Sequence, residues 1–300
     1  MRLGIDLGGT KIEAAILDDS GLFLCRERVP TPKDYDDVIR AITGLRDKVA
    51  QAHGYEGPVG ICTPGSISKS SGLMQGSNSQ SLNGKNLQAD LQAALNTPVR
   101  ISNDANCFAL SEAIDGAGAG YDAVFGVIIG TGCGGGIVVD HKIVGGVNGI
   151  AGEWGHVPLP WPVEYEYDGH DCWCGKTGCL ETYISGTGLE HDYFRIANEA
   201  CSAKEILAKA DAGDIVADSV IQVLEDRIGR GLAMIINILD PDAIILGGGL
   251  SNIDRLYTNV PRKWPGYVFS KSIDTKLLKP KFGDSSGIRG AAYLFNDEAV

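Results

Sequence analysis

A chain of 300 residues, 44% hydrophobic and 21% charged, has the composition of a soluble globular protein and the length for two substantial cores. Its formal net charge of -12 repels polyanions, and because nucleic-acid binding relies on clustered Lys and Arg, no nucleic-acid partner is expected. Met1-Arg2 leads directly into Leu3-Gly4-Ile5-Asp6 without a signal segment, and no stretch offers the roughly 18 uninterrupted apolar residues of a membrane span, so a cytoplasmic protein without a membrane partner is expected.

Residues 3–24, LGIDLGGTKIEAAILDDSGLFL, read as strand, glycine turn, strand, turn, strand. PVGICTPG (58–65) is a short strand ending at Pro64-Gly65, and VRISNDANCFALSEA (99–113) is a strand running into a helix near Asn103-Asp104. Residues 125–146 repeat the opening pattern at an offset of 122, which brings Gly4 onto Gly126, Gly8 onto Gly130 and Asp18 onto Asp140. The shared order of strands and turns predicts two lobes built from one duplicated unit. The stretch 158–171, rich in Pro, Tyr and acid, reads as an irregular loop, whereas 219–240 carries apolar residues at helical spacing up to Pro241. Residues 242–252 predict a strand, the loop Gly247-Gly248-Gly249 and the start of a helix. Alternating strands and helices of this kind imply an α/β architecture with mixed sheets. The expected division is 1–117 with 287–300 in a small lobe and 118–286 in a larger one.

Gly130-Thr131-Gly132-Cys133-Gly134-Gly135 satisfies the spacing of a dinucleotide loop, but the β-branched residues Ile137-Val138-Val139 follow it where that motif needs a helix. What remains is two glycine hairpins whose amides can clamp a polyphosphate. In the first, Asp6 can hold magnesium, Gly8, Gly9 and Thr10 can contact phosphate oxygens, and Lys11 can offset their charge. Asp104, at a turn from strand to helix, suits either a general base or an N-cap. Of eight cysteines, Cys25, Cys62, Cys107 and Cys201 are scattered like buried thiols, and Cys133 fills space in its glycine loop. Cys172-x-Cys174-x4-Cys179 has the look of a structural zinc site short of one ligand, which either His156 or His170 can supply.

DLGGTK (6–11), NDAN (103–106), GTGCGGG (130–136), GEWGH (152–156) and CWCGKTGCLE (172–181) resemble, in this order, the motifs of the ROK family of sugar kinases and related repressors. The resemblance covers essentially the whole chain. It implies a two-lobed actin/hexokinase-like (ribonuclease H-like) fold with duplicated glycine hairpins and ATP in an interlobe cleft. The kinase branch is implied because only five residues precede Asp6, where the repressors carry a DNA-binding extension. On this resemblance Asp104 deprotonates the C6 hydroxyl of a hexose, which Asn103, Glu153, His156 and Glu181 approach while the loops at Gly65 and Asn78 close over it. Gly130, Thr131, Gly132, Gly247, Gly248 and Gly249 join the first hairpin around the nucleotide, and His156 becomes the fourth zinc ligand. ATP, magnesium and structural zinc are implied, as is a homodimer. Likeness in Pro64 to Ser68, Leu82-Asn83-Gly84 and Ala151 to Trp161 points to a fructokinase that also accepts mannose. An N-acetylglucosamine or glucose kinase is the alternative within the family, and a non-catalytic sugar sensor the alternative from another class.

Overall fold

The computed structural model describes residues 1–77 and 79–296, so Asn78 lies outside the described residues. The chain forms two compact units, Met1–Gly120 with Gly136–Ala151 and Lys281–Val300, and Tyr121–Gly135 with Gly152–Pro280.

The first unit opens with β1 (Arg2–Leu7), β2 (Lys11–Leu17) and β3 (Phe23–Pro30), followed by α1 (Tyr35–His53) and β4 (Val59–Thr63). A two-strand ribbon, β5 (Ser66–Ile67) and β6 (Met74–Gln75), then precedes α2 (Leu87–Leu95), β7 (Val99–Asn103) and α3 (Asp104–Ile114). The sheet order is β3-β2-β1-β4-β7. β1 is antiparallel to β2 and parallel to β4, which is in turn parallel to β7. Asp34 caps α1 by accepting from the Asp36 amide, and the helix buries Val38, Ile42, Leu45 and Val49 in one core with Leu3, Ile5 and Ile12. Each such side chain contributes about 1.5–3 kcal/mol relative to exposure.

The second unit supplies β8 (Ala123–Ile129) and the start of β9 (Cys133–Val139), which leads to β10 (Lys142–Ile143). Next come α4 (Glu181–Ile184), α5 (Gly186–Ala197), α6 (Ala203–Asp211), α7 (Ile215–Leu239), β11 (Ala243–Gly247), α8 (Leu256–Asn259) and β12 (Lys276–Leu278). The sheet order is β10-β9-β8-β11-β12, with β11 parallel to both β8 and β12. Strand for strand this is the order of the first sheet, so the repeat read from the glycine hairpins is a repeat of topology. α7 starts at Ile215, earlier than the apolar spacing alone indicates, because Asp214 caps it on the Ala217 amide. After β11 the triple glycine leads into a 3-10 helix, Gly249–Asn252, at the point where the start of a helix is expected.

The last helix, α9 (Ser286–Ala292), returns to the first unit. Its backbone lies so close to β1 and β4 that a Cβ at Gly4 or Gly60 would collide with Ile288 or Ala291. The segment before it also belongs there, which moves the expected boundary from 287 to 281. The cause is Glu112, fully buried, whose carboxylate accepts from the Lys281 and Phe282 amides and the Ser286 hydroxyl at 3.0, 3.2 and 2.8 Å. Residues 136–151 likewise group with the first unit, where Gly136 packs directly on Ala105 of α3.

Candidate functional site

In the first unit the parallel strands β1, β4 and β7 all deliver their carboxyl ends to one edge. Asp6 pairs in register with Cys62, and Thr63 with Asn103, so DLGGTK, the turn before Gly65 and NDAN converge although they are far apart in sequence. Ligand loops gather at the carboxyl ends of parallel strands because each strand there gives way to a turn of free shape.

Asn103 is the N-cap of α3, its Oδ1 accepting from the Asn106 amide at 2.8 Å. Asp104 is therefore released from capping. It is the first residue of the helix, with Oδ1 accepting from the Ala105 amide at 2.9 Å. Asp104 keeps solvent access, yet the surrounding protein desolvates its carboxylate enough to raise its pKa, opposed by the amides of Ala105 and of Asp104 itself. Asp6 is pushed up to about 6, first by burial and then by Glu13, with Asp104 adding to the rise and Lys11 and the Cys62 thiol opposing it. Two carboxylates that repel one another thus share this edge.

The first glycine hairpin is closed by the Gly8 amide on the Lys11 carbonyl at 3.0 Å and is pinned by the Thr31 hydroxyl on the Gly8 carbonyl at 2.7 Å. Gly9, Thr10 and Lys11 are exposed. The Lys11 ammonium lies 3.3 Å from Glu13, a buried carboxylate that Arg26 also holds at 2.6 Å. Burial would raise Glu13, but Arg26 and Lys11 together lower it. Glu13 went unrecognised in the sequence because it reads as one polar position within a strand. Gly65 takes φ +86° against the backbone of Gln75 and Ser77, a conformation that a side chain would strain. Asn83 holds Ser77 by both its amide and its carbonyl, each at 2.9 Å.

In the second unit the glycine loops share a sheet end as well, since Gly247 of β11 pairs with Ile128 of β8, just before Gly130. The Gly130 amide donates to the Gly132 carbonyl at 2.9 Å. Three bonds stitch this hairpin to residues 181–187: Gly186 amide to Gly130 carbonyl (2.7 Å), Thr187 hydroxyl to Thr131 carbonyl (3.1 Å), and Cys133 amide to Glu181 Oε2 (2.8 Å). Glu181 is 9% exposed and also accepts from the Trp173 indole at 2.8 Å, a contact that an aromatic between two cysteines did not announce. A cavity of about 810 Å³ lies over these groups, lined by Thr131, Gly132, His170, Trp173, Glu181 and Thr187 among others.

Glu153 is exposed and immediately precedes the 3-10 turn Trp154–His156, which the buried Trp154 anchors by donating to the Gly134 carbonyl at 3.1 Å. His156, Cys172, Cys174 and Cys179 present ligand atoms within 4.8 Å of one another. Cys174 Sγ and Cys179 Sγ are 3.6 Å apart, and Cys172 Sγ is 3.6 Å from His156 Nδ1. A tetrahedron with Zn–S of about 2.3 Å and Zn–N of about 2.0 Å has edges of roughly 3.5–3.8 Å, so the four residues fit such an ion. Burial raises the Cys172 and Cys179 thiols, whereas the Lys176 amide lowers Cys174. His170 is outside this cluster, its ring against Tyr183 and His191 with centroids 4.8 and 4.4 Å away.

The two histidine candidates are thereby separated, and the predicted residues fall into two sets. Asp6, Gly8, Gly9, Thr10, Lys11, Gly65, Asn103 and Asp104 gather in the first unit, while the glycines after β8 and β11, Glu153, His156, Glu181 and the cysteines gather in the second. Among the described residues no helix is long and apolar enough to cross a membrane.

The profile described as "ROK family" matches residues 2–298. An N-acetyl-D-glucosamine kinase of Pasteurella multocida is 40% identical over 98% of this chain and 99% of its own length. Among solved structures, the ROK hexokinase from Thermus thermophilus aligns with TM-score 0.89 at 29% identity, covering 99% of this chain and 98% of that one. A ROK family glucokinase from Streptomyces griseus, in complex with glucose and AMPPNP, aligns with TM-score 0.77 at 29% identity over 98% of both chains. With a family match across nearly its full length and the two-lobed α/β fold of its hexokinase-like neighbours, the chain belongs to the ROK family.

Proposed function

We propose that this protein is an ATP- and magnesium-dependent sugar kinase whose acceptor is N-acetyl-D-glucosamine. The reaction rests on Asp104. A carboxylate relieved of helix capping, open to solvent and shifted toward neutral pH is suited to take the proton of a sugar hydroxyl. As that proton moves to Asp104, the hydroxyl oxygen of C6 bonds to the γ-phosphorus, the bond from that phosphorus to the β,γ-bridging oxygen breaks, and ADP leaves. Asp6 is the carboxylate for magnesium, which neutralises charge on the transferring phosphoryl group when bound. Its raised pKa fits a site built to be completed by a cation. Gly9, Thr10, Thr131 and Gly132 offer amides and hydroxyls for phosphate oxygens, Gly8 and Gly130 close the hairpins that present them, and Gly247, Gly248 and Gly249 approach the nucleotide. Lys11 serves there only by leaving Glu13.

Sugar recognition falls to Asn103, Glu153, His156 and Glu181. Zinc on His156, Cys172, Cys174 and Cys179 has a structural task, holding the turn that carries Glu153 and the loop that leads to Glu181 in fixed geometry. Of its ring nitrogens, His156 turns Nδ1 toward Cys172, which leaves Nε2 as the atom to meet the sugar.

The expectation of fructose gives way to its stated alternative. At 40% identity over almost the whole chain, a relative named as an N-acetyl-D-glucosamine kinase outweighs likeness in three short segments. Release of ADP, measured across N-acetylglucosamine, N-acetylmannosamine, glucose, mannose and fructose, is expected to give the highest kcat/KM with N-acetylglucosamine. A higher value for fructose reverses the assignment, and no sugar-dependent ADP from any of the five favours a non-catalytic sensor.

A further inference from the structure

Glu181 opens α4 with a buried side chain whose two oxygens have different partners. Oε2 accepts from the Cys133 amide and Oε1 from the Trp173 indole, both at 2.8 Å; Cys172 Sγ also stands 3.8 Å from Oε1, but as a thiolate ligand of zinc it has no proton to donate there. Trp173 itself is 75% exposed, and its ring meets His156 nearly perpendicularly with centroids 5.1 Å apart. So large an apolar surface left in water stabilises no core, and packing does not account for this residue between two cysteines. Both Trp173 and Glu181 line the cavity of about 810 Å³.

We propose that Trp173 is a positioning residue for sugar recognition: its N–H fixes the Oε1 of Glu181, and its ring walls the same cavity beside His156. The inference rests on the reading of Glu181 as a sugar contact. A carboxylate held by one oxygen pivots about that bond. Held at both oxygens by donors of fixed direction, it presents its remaining lone pairs along one line. The Cys133 amide is part of the backbone of β9 and stays in place whatever occupies 173, so removal of the indole N–H frees rotation without leaving the carboxylate unpartnered.

Trp173→Phe keeps an aromatic ring and removes only the donor. For the acceptor with the highest turnover in the five-sugar panel, the variant is expected to raise KM about 5- to 20-fold, near the lower end of the roughly 10- to 150-fold of a lost hydrogen bond to a charged group, because Trp173 acts on the sugar only through Glu181. The KM for ATP is expected within twofold of the wild type, kcat within threefold, and zinc content unchanged. Titration with that sugar is expected to change tryptophan emission in the wild type and not in the variant, where Trp154, Trp161 and Trp264 remain as references. A sugar KM within twofold of wild type overturns the proposal, as does loss of zinc from the variant, which assigns Trp173 a purely structural role. Glu181→Gln separates the two readings. If it raises the sugar KM while Trp173→Phe does not, only the Trp173 proposal falls; if it too leaves the sugar KM unchanged, the reading of Glu181 falls with it.

Discussion

The two five-stranded sheets share one strand order, β3-β2-β1-β4-β7 and β10-β9-β8-β11-β12, and each has a glycine hairpin at the carboxyl end of its first strand in sequence, β1 or β8. Their electrostatics differ. Around the first hairpin lie Asp6, Lys11, Glu13 and Arg26, with Asp104 near enough to raise Asp6. The second hairpin is held by backbone amides and a hydroxyl, and Glu181, which binds its Cys133 amide, accepts from the Trp173 indole as well. Copies of one scaffold have thus come to hold opposite devices. The first keeps carboxylates in costly protonation states, which suits proton and cation chemistry, and the second fixes its polar groups in place, which suits recognition.

The contrast breaks most readily at Asp104. Asp104→Ala is expected to lower kcat by about 10² to 10⁴, the range for a lost general base, with zinc content and sugar affinity little changed. Near-wild-type turnover in the purified variant removes the chemistry from the first unit. The largest loss of stability is expected in the second unit instead, at Glu166. This buried carboxylate accepts from Arg227 at 2.7 Å and from Arg230 at 2.9 Å, and both guanidinium groups are themselves 2% exposed. Burial would raise its pKa, but Arg230 and Arg227 hold it below the usual range. Glu166→Ala removes the carboxylate that both cations share and leaves Arg227 to Asp192 and Arg230 to Asp226, at a cost of about 3 kcal/mol. A lower thermal midpoint with kcat preserved at 20 °C is the expected result, and an unchanged midpoint denies that this unit is organised for rigidity.

What the sequence disclosed and what it hid divide along range. Hairpins, the NDAN turn and the Cys-x-Cys-x4-Cys spacing are local patterns, fixed by φ/ψ and ligand geometry over a few residues, and they were legible. The duplication was legible through the pairs Gly4 and Gly126, and Gly8 and Gly130, and at Gly4 only glycine admits the close approach of α9. Glu166 and Arg230 are 64 positions apart, and Glu112 meets Ser286 across 174. Neither pairing leaves a periodicity to read. The release of Asp104 from capping was hidden for a different reason, since Asn103 and Asp104 are equally good caps by residue type and only the backbone turn decides between them. Sugar preference is the least legible of all. Phosphoryl transfer asks the same carboxylate of every hexose kinase, whereas discrimination among hexoses depends on the shape of a few side chains in loops.

A subtler test of the same contrast lies in the pH dependence of Asp6→Asn, measured without magnesium or nucleotide. The carboxyl of Asp6 has a folded-state pKa of about 6 against a reference of 3.8. Because the folded pKa is raised, the group favours the native state fully below pH 3.8 and loses that contribution as pH rises through 6. At pH 8 the wild type therefore holds an ionised carboxylate in a place that disfavours the charge, and an amide of the same shape relieves it. The variant is expected to be more stable than the wild type by about 2 kcal/mol at pH 8, after allowance for the partly open side chain, and to lose the advantage toward pH 4.5. Activity is expected to move the other way, falling at both pH values, because the strained charge is the one offered to the cation. A pH-independent difference in stability assigns Asp6 a packing role and erases the electrostatic distinction between the two hairpins.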